Sequence, residues 1–329
     1  MAPLAAPSSL LLLLLLLLFV LGLAGLIAFA WMRPRLRRYV AGRRCPSAAR
    51  VDGKTVVVTG ASSGIGKETA LELARRGARV IMACRDTRKA EAVASELRAH
   101  SGSHEVHVRH LDLASSASIR DFAQKLLQEE PRVDVLINNA GVMMCPYQKT
   151  ADGFEMQLGV NYLGHFLLTH LLLDALRRAG GRVVCVASLG HIFGRISFSD
   201  LMSARWYSPG LAYCQSKLAL VMFVRSLASR LQGTGVSAFA VHPGTVHSEL
   251  PRHSKLMTLA WWLFSPFIRT AEQGAQTSVF CAVAPEISAL SGGYFSDCAE
   301  AAVAWQARRD PTARRLWAES CRLLGVRWE

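Results

Sequence analysis

Lys54-Thr-Val-Val-Val-Thr59-Gly60-Ala-Ser-Ser-Gly64-Ile-Gly66 is the stretch that decides the fold. Residues 55–59 are all β-branched and read as a buried strand. Glycines follow at 60, 64 and 66, and a helical pattern runs over 65–76. Gly60 permits a tight turn, Gly64 lets a diphosphate approach the backbone, and Gly66 allows close helix–strand contact. The diphosphate is expected over the helix N-terminus, where free N–H groups and the helix dipole favour anions. Glycine spacing alone is a weak signal. The strand before it and the helix after it supply the required context.

Working outward, strands and helices alternate. Further strands are expected at 79–83, 105–109, 133–137, 182–187, 236–241 and 293–295. Helices are expected at 87–100, 115–129, 154–178, 211–232, 271–284 and 312–324, with 243–270 as a loop with an apolar centre. Length alone suits one large domain or two small ones. Alternation decides for one: a Rossmann-type α/β domain with a doubly wound parallel sheet of seven strands.

The N-terminus is different in kind. Residues 1–32 carry no charged side chain, and 10–30 form 21 apolar residues. As a helix that run rises about 30 Å, enough to cross the hydrocarbon core. Seven arginines then fall between Arg33 and Arg50, with no acidic residue before Asp52. The positive-inside rule puts that side in the cytosol. Ala28-Phe29-Ala30 has the shape of a signal-peptidase site, but the missing basic n-region and the arginines beyond it favour an uncleaved anchor. The expected division is a transmembrane anchor over 1–32, a basic juxtamembrane segment over 33–51 and a catalytic domain over 52–329, single-pass and facing the cytosol.

The formal charge of +14 suggests nucleic acid until it is located. Half of it lies in the juxtamembrane arginines, and no basic–aromatic stripe or zinc-finger spacing follows, so nucleic-acid binding is not expected. The eight cysteines (45, 84, 145, 185, 214, 281, 298 and 321) form no C-x-x-C pair and no metal spacing. Reduced thiols and no metal are expected. Cys45, near the membrane, is either a plain free thiol or an acylation site.

Further motifs complete the pattern. The glycine spacing is G-x-x-x-G-x-G, Asn138-Asn139-Ala140-Gly141 ends the fourth strand, Tyr213-x-x-x-Lys217 opens a helix, and Pro243-Gly244 follows the sixth strand. In this order they resemble the short-chain dehydrogenase/reductase family, over residues 52 to about 300. The resemblance implies a nicotinamide cofactor held by Gly60, Ser62, Ser63, Gly64, Ile65 and Gly66. It extends the set to Arg85, to Asp112 and Leu113, and to Asn139, Ala140 and Gly141. Tyr213 and Lys217, then Pro243, Gly244, Thr245 and Val246, complete it.

Cys84-Arg85-Asp86 closes the second strand, where NAD enzymes carry an acid for the ribose hydroxyls. Arg85 can fork onto a 2′-phosphate, and Lys67 adds charge near the glycine turn. The alternative makes Asp86 the NAD carboxylate. Similar NADP-using members carry arginine at this position, so NADP(H) is expected.

Hydride transfer to a carbonyl builds negative charge on its oxygen, and a proton donor must meet it. Tyr213 is the candidate. A free tyrosine titrates near 10, and Lys217, one helical turn on, is expected to lower that by stabilising phenolate. Ser188, ending the fifth strand, can position the substrate oxygen, although an isolated strand-end serine can equally be structural. The family resemblance selects Ser188 as catalytic and matches Asn161, in Gly159-Val-Asn161-Tyr-Leu-Gly164, to an asparagine that holds a relay water beside the lysine. Asn161 can also simply kink its helix.

Ala83-Cys-Arg-Asp86, Thr150-Ala-Asp-Gly-Phe-Glu155, Gly164-His-Phe-Leu-Leu-Thr169 and Leu324-Gly-Val-Arg-Trp-Glu329 resemble the microsomal retinol dehydrogenase group. That implies retinal and retinol as substrates, with lipid-derived aldehydes or steroids as the alternative and reduction as the expected direction. It also implies an endoplasmic-reticulum membrane. A homodimer is left open. A catalytically silent cofactor-binding scaffold is the rival of another class, and it predicts a broken catalytic set. Two departures from the group, Tyr162 for His and Cys185 for Asn, are expected near the active-site layer. Met257, Trp261, Trp262, Phe264 and Phe267, bordered by Arg252, Lys255 and Arg269, form either an apolar lid or ordinary packing under a loop.

Overall fold

The computed structural model describes residues 9–246 and 268–328. The expected lid falls almost wholly on residues 247–267, outside the described residues.

Among the described residues, eight strands form one sheet: β1 (Thr55–Thr59), β2 (Arg79–Cys84), β3 (Val106–His110), β4 (Val135–Asn138), β5 (Arg182–Val186), β6 (Ser237–His242), β7 (Tyr294–Ser296) and β8 (Ala299–Ala301). Their order is β3-β2-β1-β4-β5-β6-β7-β8. The chain moves outward from β1 to β3, then returns to place β4 on the other side of β1. A crevice opens at that reversal, beyond the carboxyl ends of β1 and β4.

The expected count of seven strands is corrected to eight. β7 and β8 form an antiparallel hairpin in which Ser296 faces Ala299, turned by Asp297 and Cys298 with φ of 53° and 55°. Positive φ at both turn positions gives the hairpin the twist its strands need. An Asp-Cys turn between three-residue strands carries none of the usual glycine signal, which is why the eighth strand escapes a reading by pattern.

The residues of β1 serve two layers. Val56 and Val58 pack with α2 (Gly64–Arg75), α3 (Thr87–Ser101) and α9 (Ala271–Val283). Val57 faces the other layer, built from α4 (Ser116–Glu129), α6 (Gly164–Leu171), α7 (Leu173–Ala179), α8 (Pro209–Arg230) and α10 (Asp310–Leu324). Burial on both faces explains a strand of unbroken β-branched residues.

The single helix expected over 154–178 is divided. Glu155 caps α5 (Met156–Leu158) by accepting the Gln157 and Leu158 amides at 2.8 and 2.7 Å. A π-turn follows over Gly159–Leu163, then α6, a break at Leu172, and α7. Asn161 sits inside the π-turn, where helices are often remodelled for function. Gly164 allows the close approach, since a Cβ there would lie 2.8 Å from the Leu113 carbonyl oxygen.

The apolar N-terminus forms α1 (Ser9–Ala41), which contains a 25-residue exposed span, Leu11–Arg35, long and apolar enough to cross a membrane. The helix continues through the arginines expected to lie outside it. Arg35 stacks over Trp31 at 3.7 Å, a pairing suited to a membrane–water boundary.

Candidate active site

The crevice between β1 and β4 is a cleft of about 340 Å³ lined by Gly60, Ser62, Ser63, Gly64, Ile65 and Gly66 on one wall. Asn139, Ala140 and Gly141 form the opposite wall, and Arg85, Asp112 and Leu113 line its far end. Thr59 organises this junction. Its hydroxyl oxygen accepts the Asn139 and Ala140 amides, each at 2.9 Å. Asn139 Nδ2 donates back to the Thr59 carbonyl at 2.8 Å. The ends of β1 and β4 are thereby locked side by side.

The cleft fits a dinucleotide by three observations. Gly60 and Gly64 have φ of 66° and 54°. A Cβ on Gly66 would lie 2.4 Å from the Gly60 carbonyl oxygen, so only glycine fits. Ser63, at the N-cap of α2, makes no side-chain cap, leaving the first-turn N–H groups to an anion.

At the adenosine end, Asp86 is committed to structure: its side chain accepts the Lys89 amide at 2.9 Å and caps α3. Arg85 and Lys89 line the cleft beside it. Lys67, expected to add charge here, instead pairs with Glu96 at 2.7 Å and is not among the lining residues.

Ser188, Tyr213 and Lys217 gather at the same carboxyl edge. The Ser188 side chain is near enough to lower the Tyr213 pKa. A Cβ on Gly190 would lie 3.4 Å from Tyr213 Cε1 and 3.5 Å from Ser188 Oγ, so both flank one point. Lys217 Nζ lies 5.7 Å from the centre of the Tyr213 ring and donates to the Val186 carbonyl at 2.8 Å. A Cβ on Gly141 would meet Asn161 Oδ1 at 3.1 Å and Lys217 Nζ at 3.7 Å, which joins this group to the cleft.

Asn161 is fully engaged. Its Oδ1 accepts the Val142 amide at 2.8 Å, and its Nδ2 donates to the Val142 carbonyl and to Ser216 Oγ, each at 2.9 Å. It ties the cleft wall to α8. Its backbone carbonyl accepts His165 Nδ1–H at 3.1 Å, and His165 Nε2 faces Thr59 Oγ1 at 3.0 Å. With two amides already donating to Thr59, the hydroxyl proton goes to Nε2, which fixes the tautomer.

The electrostatics differ from the expectation for Tyr213. Burial pushes its pKa up to about 12, with the Ser188 side chain acting the other way. Burial pushes Lys217 down to about 8. Desolvation disfavours the charged form of each group and is the largest cause of both shifts. His165 is pushed down to about 3 by burial and is neutral.

Pro243, Gly244, Thr245 and Val246 lie outside the cleft lining, after β6. Val246 packs on Ile65 and Ala275, bringing this loop against the glycine turn. Of the two departures, Cys185 lies as expected: buried on β5, it accepts Asn138 Nδ2 at 3.4 Å and interacts electrostatically with Lys217. Tyr162 does not. Its hydroxyl meets Ser320 at 2.7 Å, and its ring packs with Phe166 and Phe223 under α10.

Several positions escaped the sequence reading. Thr59 and His165 brace the cleft as described. His191 Nδ1 donates to the Ser188 carbonyl at 2.8 Å, and its Nε2 accepts the Ala304 amide at 3.2 Å. A histidine four residues after Asn161, followed by Phe166, Leu167 and Leu168, was the one available signal.

Residues 54–257 match the family described as short chain dehydrogenase. The chain is 57% identical to human retinol dehydrogenase 12 over 309 residues, covering 93% of this chain and 98% of that protein. It is 57% identical to human retinol dehydrogenase 11, covering 89% and 92%. An uncharacterised protein from Mycobacterium paratuberculosis has a similar solved structure, with 39% identity, a TM-score of 0.72 and coverage of 88% and 99%. The NADP active-site complex of RhlG from Pseudomonas aeruginosa follows at 27% identity and a TM-score of 0.62, covering 75% and 95%. A dinucleotide cleft with a serine, tyrosine and lysine at its edge, and these relatives across most of the chain, lead to one conclusion: the chain belongs to the short-chain dehydrogenase family and, within it, to the retinol dehydrogenase group.

Proposed function

We propose that this oxidoreductase uses NADP(H) to interconvert retinal and retinol, chiefly by reducing the aldehyde, from an anchor in the endoplasmic-reticulum membrane with its catalytic domain facing the cytosol. The observation that carries the cofactor choice is at the end of β2. Arg85, Asp86 and Lys89 all line the cleft, but Asp86 already accepts the Lys89 amide as the cap of α3, which leaves the cationic side chains to meet a 2′-phosphate. Relatives named retinol dehydrogenases support the substrate.

The bound dinucleotide supplies hydride to the carbonyl carbon. The chain supplies everything else. Ser188 positions the carbonyl oxygen, and Tyr213 gives it a proton. A tyrosine pushed up to about 12 stays protonated at neutral pH, as a reductase requires. Lys217, pushed down to about 8, exchanges protons near neutrality and restores Tyr213. Asn161 holds the cleft wall and Ser216 in place beside Lys217, where it orders the proton path. In the reverse direction Tyr213 accepts the proton. The complete catalytic set argues against a silent scaffold.

The test is Tyr213→Phe in the full chain. It should bind NADPH as the parent does and lose turnover of all-trans-retinal by about 10²- to 10⁴-fold, the usual worth of a general acid. Retinal reduction at the parental rate by this variant contradicts the mechanism.

A further inference from the structure

A second cavity, about 540 Å³, lies apart from the cleft and shares no lining residue with it. Ser188, Tyr213 and Lys217 do not line it. Its inner wall is apolar: Leu218 and Met222 of α8, both buried, with Ile196 and Phe198. Arg195, Arg309 and Arg315 stand at the rim, all exposed.

Two of the arginines are held in place by aromatic faces. Arg315 lies 4.1 Å over Phe198, and Arg309 lies 5.4 Å over Trp305. A guanidinium stacked by its face keeps its N–H edge for an anion. No carboxylate lies within ion-pair distance of Arg195, Arg309 or Arg315 among the described residues. Glu319, further along α10, pairs with Arg322 at 2.6 Å and feels Arg315 only as a weaker, more distant charge. Pro311 and Thr312, in the first turn of α10, also line the cavity, whereas the Asp310 carboxylate of that turn is not among the lining residues.

We infer that this cavity binds an amphipathic anion: a single apolar chain laid on Leu218, Met222 and Ile196, with its carboxylate or phosphate held by the arginines. The volume lies within the range of about 300–1,000 Å³ usual for small-molecule sites. The exposed span of α1 is long and apolar enough to cross a membrane, where such amphiphiles are abundant. A hydrogen-bonded path leads from the cavity to the catalytic serine. Gln306 donates to the Ile192 carbonyl at 3.1 Å, and the Ala304 amide donates to His191, which holds the Ser188 carbonyl. The inference does not depend on the identity of the reduced substrate.

The experiment uses the full chain in phosphatidylcholine nanodiscs and a stearate carrying a mid-chain diazirine. Photolabelled peptides are identified by mass spectrometry. Label is expected within 194–198, 218–222 and 305–315. Oleate or oleoyl lysophosphatidate should compete, and oleyl alcohol should not. The stronger of the two anions tells whether a free fatty acid or a phospholipid supplies the headgroup. The triple variant Arg195→Gln, Arg309→Gln, Arg315→Gln should lose label at these peptides by at least tenfold while still binding NADPH. Label confined to residues 9–41, equal competition by the neutral alcohol, or undiminished label in the triple variant overturns the inference.

Discussion

Arg269 Nε donates to the backbone carbonyl of Val40 at 2.7 Å, so one side chain beside the loop after β6 holds the end of the apolar N-terminal helix. The same guanidinium reaches the Pro243 carbonyl at 3.4 Å and Asp297 at 2.6 Å. Further along, Cys45 N donates to Gln276 at 3.0 Å, and Arg76 donates to the carbonyls of Ser47 and Ala49 at 2.7 and 3.0 Å. The segment after α1 is therefore a strap bound to α2 and α9, and it brings the carboxyl edge of the sheet to the end of the helix. Arg269→Ala should free the strap. Trypsin should then cut at the exposed Arg43 and Arg44 several-fold faster than in the parent. Equal rates of cutting contradict the clamp.

Arg85→Ala should raise the KM for NADPH and leave that for NADH nearly unchanged. A hydrogen bond to a charged group contributes about 1.5–3 kcal/mol, so the kcat/KM ratio of NADPH to NADH should fall roughly 10- to 100-fold. Steady-state kinetics with both cofactors checks this. A ratio that stays at the parental value shows that Arg85 does not read the 2′-phosphate.

Acid should destabilise this chain through its buried histidines. Burial holds His165 down at about 3 and, with Arg269 nearby, His242 at about 4. An unfolded histidine titrates near 6.5. Below that value the unfolded chain takes up protons that the folded chain refuses, so stability is intact above about 6.5 and falls with pH beneath it. Each such group contributes a slope approaching 1.4 kcal/mol per pH unit, on the order of its full titration. Denaturant unfolding of His165→Gln at pH 6.0 and 5.0 should show a shallower loss than the parent. An identical slope contradicts the assignment of His165 as a neutral brace.

The legible and the illegible parts differ for physical reasons. The glycine turn was readable because each glycine answers a local demand: positive φ at Gly60 and Gly64, close approach at Gly66. The bounds of β1 and the helix after it came from a change of period, which is also local. Tyr213 and Lys217 share a face because they are one turn apart. What the pattern missed depends on partners far along the chain. Lys67 turned to Glu96, Tyr162 turned to Ser320, and burial raised Tyr213. The break of the helix over 154–178 came from Glu155 capping and from the contact of Gly164 with Leu113. Such effects are settled by packing, which spacing does not encode.

The most direct test of the central claim is a paired rate assay on membranes holding the full chain. It compares all-trans-retinal with nonanal, each with NADPH and with NADH. The account predicts fast reduction of retinal with NADPH, slower reduction with NADH, and loss of the preference in Arg85→Ala. Turnover of nonanal alone, or equal rates with both cofactors, would contradict it.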